Sequence, residues 1–314
     1  MNYPKVTALA GGVGGAKLVY GLAKILPKDY LTVIVNTGDD FDFYGLHISP
    51  DIDSIIYNLA EISDPIRGYG RANDSFRILG ELRNLGEDIW FHLGDLDFAL
   101  NLYRSYLLRS GISLTKATEM IGTSLGLNHH ILPMSDEKAS TKINTRKFGI
   151  LDFQEYFVKY KFEPEVENIN YSIIKDASMT KEAISAIINS DIILFCPSNP
   201  WLSIFPILKL RNVEKEIKKK KVVAVSPIIG NDAVKGPAAK LFRNFGLEPS
   251  ARAVAEVYKE IIDILVIDNK NENESNEINN LGIKTFRTDI MMGDNNAKIR
   301  LAGEILRFLE NNLQ

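Results

Sequence analysis

A doubly wound α/β fold with a mostly parallel sheet is what this sequence predicts, and three observations predict it. Short apolar runs alternate with helical patterns in the first 60 residues and again after residue 180. Those runs, such as Thr32–Val35, Ile192–Cys196, Val222–Val225 and Ile264–Ile267, are continuously apolar. That is how strands covered on both faces read. The first run ends in a glycine-rich turn followed by a helix, the order in which such folds build phosphate sites. The 314 residues are ample for one core. They are read as a single α/β domain, 1–314, with a mainly helical insertion at about 55–128.

The opening stretch Val6–Lys17, V-T-A-L-A-G-G-V-G-G-A-K, predicts strand, turn and helix. Its helical pattern runs from Leu18 to Leu26 and stops at Pro27. Gly11, Gly12, Gly14 and Gly15 carry no side chains, so backbone N–H groups and a helix N-terminus are open to an anion. After the strand Leu31–Val35 comes a polar loop, Asn36–Asp40, and then Ser49-Pro50-Asp51-Ile52-Asp53. Ser49 suits an N-cap and Pro50 the first helical position, and the helix continues through Ile62. Asp74–Leu85 reads as a helix closed by Gly86, and Ile89–Leu93 as a short strand. Asp95 is placed as the cap of a helix reaching Arg109, and Thr115 as the cap of one ending near Gly126. Ile131–Phe162 holds short β-like runs at 142–144 and 148–150 beside several aromatic residues. Helices are expected at 180–188, 201–221, 237–245, 251–262 and 297–309, and Asn269–Asn280 reads as an exposed loop.

Two familiar motifs almost fit the glycine turn and fail. A Walker A loop needs Ser or Thr after Gly-Lys, and here Ala16-Lys17-Leu18 stands instead. The dinucleotide fingerprint has Lys17 in place of its third glycine, and the second strand ends in Asn36 rather than an acid. Ligands of such sheets bind beyond the C-terminal strand ends. Four strand-end loops there are rich in small and polar residues: Gly11–Lys17, Asn36–Asp40, Pro197-Ser198-Asn199-Pro200 and Ser226–Asn231. Taken singly each is an ordinary βα turn; converging, they make a nucleotide pocket. Asp39, Asp40, Asp51 and Asp53 lie on one connection and offer oxygen ligands to magnesium, which takes one or two carboxylates along with substrate phosphates. Asp51 and Asp53 are two apart on a helix, so only one of them is expected to reach the pocket. The other would complement the helix dipole.

Composition excludes several classes. A net charge of −3 gives no basic surplus for nucleic acid. The single cysteine, Cys196, lies in an apolar run and reads as a buried, inert thiol, and with four histidines it offers no zinc spacing. No G-x-S-x-G elbow is present. No apolar run approaches the ~20 residues that cross a membrane, and no signal peptide opens the chain, so a cytoplasmic protein is expected.

These motifs, in this order, resemble the 2-phospho-L-lactate transferase family of coenzyme F-420 biosynthesis. The resemblance rests on Gly11–Lys17, Asn36–Asp40, Ser49–Asp53, Leu93-Gly94-Asp95, Leu132-Pro133-Met134-Ser135-Asp136, Pro197–Pro200 and Ser226–Gly230. It implies a Rossmann-like fold, a homodimer, a magnesium ion and a guanosine diphosphate-linked donor. The acceptor it implies is the deazaflavin Fo, whose ribityl hydroxyl would take a 2-phospho-L-lactyl or phosphoenolpyruvyl group and release GMP. On this resemblance Asp53 and His92 contact the deazaflavin, and Asp53, with Asp40, serves catalysis. Gly12, Gly14, Gly15, Lys17, Asn36, Ser198, Asn199 and Ser226 would hold the nucleotide, and Asp40 and Asp51 the metal. The rival reading is a non-catalytic nucleotide-sugar-binding regulator on the same scaffold. An NAD-dependent dehydrogenase is disfavoured by Lys17 and Asn36.

Overall fold

The structure, a computed structural model, describes residues 3–230, 232–233 and 237–312. Strand β1 (Val6–Ala10) leads into α1 (Gly12–Ala23), and β2 (Leu31–Val35) follows. An excursion then separates β2 from β5 (His130–Pro133). It opens with a hairpin, β3 (Phe41–Phe43) and β4 (Leu46–Ile48), and continues with α2 (Pro50–Leu59), α3 (Arg77–Asn84), α4 (Asp95–Arg109) and α5 (Leu114–Ser124). Strands β6 (Lys142–Thr145), β7 (Gly149–Asp152) and β8 (Val166–Asn170) form a small antiparallel sheet of their own. Helices α6 (Ser172–Asp176) and α7 (Lys181–Asn189) return the chain to the main sheet at β9 (Ile192–Phe195). Next come α8 (Phe205–Lys209), α9 (Val213–Ile217), β10 (Lys221–Val225) and a minimal hairpin, β11 (Ile228–Ile229) with β12 (Asp232–Ala233). The chain ends with α10 (Ala238–Asn244), α11 (Ala251–Tyr258), β13 (Ile264–Asp268), α12 (Ser275–Asn280), β14 (Lys284–Thr288) and α13 (Asn295–Glu310).

Seven strands make one sheet in the order β14-β13-β10-β9-β1-β2-β5, and every neighbouring pair is parallel. Alternate residues feed two apolar layers. Ala8, Ala10, Val33, Val35, Leu194 and Val223 pack under α1, α2 and α13. Leu9, Ile34, Phe195 and Ala224 pack under α7, α8 and α11. Both faces are covered, which is why the strands read as unbroken apolar runs. The chain winds outward from β1 to β5 on one side and from β9 to β14 on the other. The reversal falls between β1 and β9, where Val6 pairs with Ile192 and Leu9 with Phe195. Beyond that point the strand ends diverge into the crevice such sheets use for ligands.

Several elements differ from the sequence reading. Helix α1 begins at Gly12, so Gly14 and Gly15 lie inside its first turn. Ile89–Leu93 forms no strand: the rings of Trp90 and Phe91 pack on Phe41 and Phe43 of the β3–β4 hairpin instead. The region 201–221 is broken into a π-type turn at Pro200–Ile204, α8 and α9, because Leu210 is extended and Asn212 has φ 63°. The caps of α4 and α5 are Gly94 and Ser113, one and two residues before the expected ones. Asn269–Asn280 is helical, not an open loop; buried Asn271 anchors it by exchanging hydrogen bonds with Gly230. Strand β14 was not anticipated, because its KTFRT sequence is half polar on a sheet edge.

Candidate functional site

The crevice is built by three loops that interlock. Gly12 has φ 63°, a region that favours glycine, and its N–H donates to Asp51 Oδ1 at 2.7 Å. A Cβ on Gly14 would run into the Pro197 carbonyl, and one on Gly15 would lie 2.9 Å from Ser198 Oγ. The bare space read from the sequence as room for a ligand is therefore filled at these two positions by the loop after β9. Ser198 Oγ donates to the Gly11 carbonyl (2.7 Å) and accepts from Gly11 N–H (3.4 Å). Asn36, at the end of β2, completes the knot. Its amide donates to Asp51 Oδ2 (2.9 Å) and the Leu202 carbonyl (3.2 Å), while its oxygen accepts from Gly38 N–H (2.8 Å). Asn199 uses its side-chain oxygen to cap Trp201 and Leu202, which leaves its amide nitrogen buried without a partner.

The structure thus brings Gly12, Asn36, Asp51 and Ser198 together, with Gly14, Gly15 and Asn199 at their edges. Two other expected nucleotide residues have different partners. Lys17 Nζ donates to the Met292 carbonyl (2.9 Å), at the loop leading into α13. Ser226 Oγ closes its own turn with Ile228. Asn231, in the same loop, lies outside the described residues.

Beside this knot sit three buried acids. Burial, with the charge of Asp51 adding to it, pushes the Asp39 carboxyl well above its ordinary value. Burial also raises Asp51, to about 6, against the hydrogen bonds from Asn36 and Gly12. Asp40 is raised by burial despite favourable partners: His47 Nε2 at 3.0 Å, the Ser49 hydroxyl at 2.7 Å and the charge of Arg104. Ser49 is the N-cap residue of α2, but its hydroxyl serves Asp40 rather than the helix; Pro50 holds the first helical position as expected. One oxygen each of Asp39 and Asp40, and the Thr37 hydroxyl, are buried without a partner.

That orphaned oxygen pair is the test of whether a divalent cation fits. Buried carboxylates that repel one another and keep unused lone pairs suit an oxygen-seeking ion. Among the described residues no group of three or more acidic, histidine or cysteine side chains could hold a metal unaided. Magnesium does not need one, because it takes one or two carboxylates and completes its shell with phosphate oxygens and water. The free oxygens belong to Asp39 and Asp40, whereas both oxygens of Asp51 already carry hydrogen bonds.

Two residues further along α2, Asp53 faces elsewhere. It lines a cavity of about 90 Å³ together with His92, Tyr57, Arg71 and Asp97. Sequence reasoning paired Asp53 with His92 in one binding role, and the fold does place both on this cavity. Asp53 is not open to it as a lone carboxylate. Both of its oxygens are held by the guanidinium of Arg104, one at 3.2 Å and the other closer. Arg104 is completely buried and also donates to Asn101. Burial works against its charge, but Asp53 and Asp40 more than offset that and hold its pKa above the ordinary value.

The wall that carries Asp97 is fixed by reciprocal capping. Asp74, before α3, accepts from the N–H groups of Leu96 and Asp97 at the start of α4. Asp95, at the start of α4, accepts from Ser75 Oγ and from the N–H groups of Arg77 and Ile78 at the start of α3. A Cβ on Gly94 would collide with the Asp74 carboxyl. The Leu93-Gly94-Asp95 stretch is therefore a clamp between two helix N-termini, and it stations Asp97 in the cavity.

Arg104, Asp97 and Tyr57 were missed in the sequence. A signal was there: Asp97, Asn101, Arg104 and Ser105 follow i, i+4, i+7, i+8 spacing, so one whole face of α4 is polar and all four are buried. A second cavity, of about 220 Å³, opens on the other side of Asp40 and is lined by Thr37, His47, Leu114, Asp136 and Lys138.

Comparison with known proteins shows the family and the fold. The family described as 2-phospho-L-lactate transferase CofD matches residues 6–302. Proteins named 2-phospho-L-lactate transferase from Methanocaldococcus jannaschii and Methanopyrus kandleri are each 39% identical to this chain. The alignments cover 96% of this chain and 97% of the first relative, and 98% of both chains for the second. The protein of that name from Methanosarcina barkeri is 41% identical over 90% of this chain and 91% of its own length. A solved structure of a UPF0052-family protein from Bacillus halodurans superposes with a TM-score of 0.67 at 14% identity, covering 98% of this chain and 99% of its own, a likeness of fold.

Proposed function

The chain belongs to the 2-phospho-L-lactate transferase family, and from that premise we propose that it transfers a 2-phospho-L-lactyl or phosphoenolpyruvyl group from a guanosine diphosphate-linked donor to the ribityl hydroxyl of the deazaflavin Fo, releasing GMP. One observation carries the reading. The first turn of α2 presents Asp51 to the glycine knot and Asp53 to the aromatic- and arginine-lined cavity, so a phosphate site and an acceptor site share one wall. Phosphoryl transfer depends on such positioning and on charge neutralisation more than on covalent help.

In this proposal the knot of Gly12, Asn36 and Ser198, with the unpaired Asn199 amide nearby, receives the donor. Asp40 and Asp39 would hold magnesium, with Asp51 holding the shape of the turn between them and Gly12. The ion, when bound, would neutralise charge on the diphosphate. Asp53 and His92 would receive Fo. The bidentate bond to Arg104 suits Asp53 to orienting the acceptor, since both of its oxygens are held in a fixed geometry.

The test is direct. Purified protein, Fo, the lactyl donor and magnesium are expected to yield GMP and a phosphodiester of Fo, and the lactyl and enolpyruvyl donors in competition rank the preference. Excess EDTA is expected to stop the reaction; undiminished turnover there would remove the metal. Saturable quenching of Fo fluorescence supports an acceptor site, and its absence supports the regulator reading.

A further inference from the structure

We propose that Asp97 accepts the proton of the attacking hydroxyl, an inference that rests on reading the Asp53–His92 cavity as the acceptor site. Three carboxylates line that cavity; Asp74 is taken up in capping α4, and Asp53 and Asp97 are in opposite states. Asp53 has both oxygens on a fully buried guanidinium, which occupies the atoms that a substrate proton would need. Asp97 is buried as well, at 8% exposed, but the backbone supports it with no more than a long hydrogen bond of 3.4 Å from Gly94 N–H to Oδ2. Its Oδ1 has no partner. The Tyr57 hydroxyl, in the same cavity, faces the Asp97 carboxyl and acts on it, but the two do not meet in full hydrogen-bond geometry. An alcohol entering between them satisfies both: it donates to Asp97 Oδ1 and accepts from the Tyr57 hydroxyl.

The surroundings set Asp97 for this work. Asp53 and Tyr57 face it from α2, Asp74 from the segment before α3 and Arg104 from its own helix, while Arg67, Arg71 and His92 line the rest of the cavity. Burial, with the charges of Asp53 and Asp74, raises its carboxyl to about 6 against the pull of Tyr57 and Gly94. Such a group is ionised at neutral pH and still basic enough to take a proton. Asp53, held on both oxygens by Arg104, supplies orientation.

In the transfer, the alcohol oxygen forms a bond to the phosphorus that bears the lactyl group. The bond from that phosphorus to the bridging oxygen breaks, and GMP leaves with the electron pair. The alcohol proton passes to Asp97 Oδ1 and from there to water.

The experiment compares kcat and KM between pH 5 and 8.5 for the wild-type protein, Asp97→Asn and Asp97→Glu, with Fo affinity read by fluorescence. The wild-type kcat is expected to fall below about pH 6. Asp97→Asn is expected to lower kcat at least 100-fold, the range for general base catalysis. It should leave Fo affinity within about threefold and flatten the acid limb, and Asp97→Glu should restore part of the rate. An Asp97→Asn protein with wild-type kcat and an unchanged acid limb overturns the proposal, as does a wild-type profile with no acid limb should the variant fail to fold. If the wild-type protein forms no Fo product at all, the acceptor reading itself falls, a result distinct from an active Asp97→Asn.

Discussion

Asp51 and Asp53 stand two residues apart on one helix, yet their regions solve the problem of buried charge in opposite ways. Around Asp51, at the strand ends, Asp39 and Asp40 add negative charge, and mostly neutral donors answer it: Asn36, Gly12 and Ser49, with His47 and the charge of Arg104 acting on Asp40. Around Asp53, in the helical excursion, a buried guanidinium closes the account. A charge cluster that stays uncompensated inside the fold is costly, and it persists where a ligand completes it. A compensated pair is rigid and sets geometry. The contrast is between strand-end acids that keep unused oxygens and a cavity whose carboxylate is already paired with a guanidinium.

The sharpest way to break that contrast is to unpair Asp53. Arg104→Met leaves a buried carboxylate with no partner and is expected to cost about 3–5 kcal/mol, read as a fall in the denaturation midpoint. Arg104→Met with Asp53→Leu should recover most of the stability, because removing both charges leaves neither exposed to an apolar interior, but not the transfer. A double variant no more stable than Arg104→Met would mean that the pair is not a closed unit. Next in size is Gly94→Ala. It forces a methyl into the Asp74 carboxyl and disturbs both helix starts, so a loss of about 1–3 kcal/mol is expected from overpacking. Transfer should suffer more than that loss alone explains, because Asp97 moves with the clamp.

How much of this was legible follows the same line between regions. The strand-end crevice could be read, since strand ends announce themselves by Gly, Asn, Ser and Asp after apolar runs, and the fold brings consecutive strand ends together by rule. Helical spacing points Asp51 and Asp53 apart, as expected, but the second acid is not left to complement the helix dipole: both of its oxygens are held by Arg104 at a cavity of its own. The role of the glycines was misjudged, because a sequence cannot tell whether the space over Gly14 will be taken by a ligand or by the Pro197 carbonyl. The cavity was half legible. Asp53 and His92 came from motif resemblance, but Arg104 is 51 residues from its partner, and nothing local marks a long-range ion pair. Only the polar stripe on α4 hinted that this helix face was buried against something charged.

The opposite test applies to the strand-end acids, where removing charge should help. Asp39→Asn takes away a buried carboxylate that its neighbours repel. The variant is expected to be more stable than wild type by about 1–2 kcal/mol at pH 7.5 in EDTA, from relief of burial and repulsion, while losing transfer. A destabilised Asp39→Asn would show that the carboxylate is satisfied in a way its unpaired oxygen does not suggest.

The smallest effect expected is also the most specific, because it has a sign. Folded protein keeps the Asp51 proton up to about pH 6, whereas the unfolded chain releases it near the ordinary carboxylate value of about 4. Between those values the folded state binds more protons, so this group stabilises the metal-free fold as pH falls through 6 and contributes nothing above it. Between pH 7.5 and 5 the gain is about 1 kcal/mol, or roughly 1–2 °C in the midpoint for a chain of this length. His129, whose pKa burial lowers, acts in the opposite direction. Comparing wild type with Asp51→Asn cancels it, since both carry His129. The wild-type protein in EDTA should therefore gain about 1 kcal/mol more than Asp51→Asn on acidification. Magnesium with the donor nucleotide should erase that difference by favouring the ionised carboxylates. Equal gains in both proteins without metal would mean that Asp51 is already compensated in the fold, and the contrast with Asp53 would lose its basis.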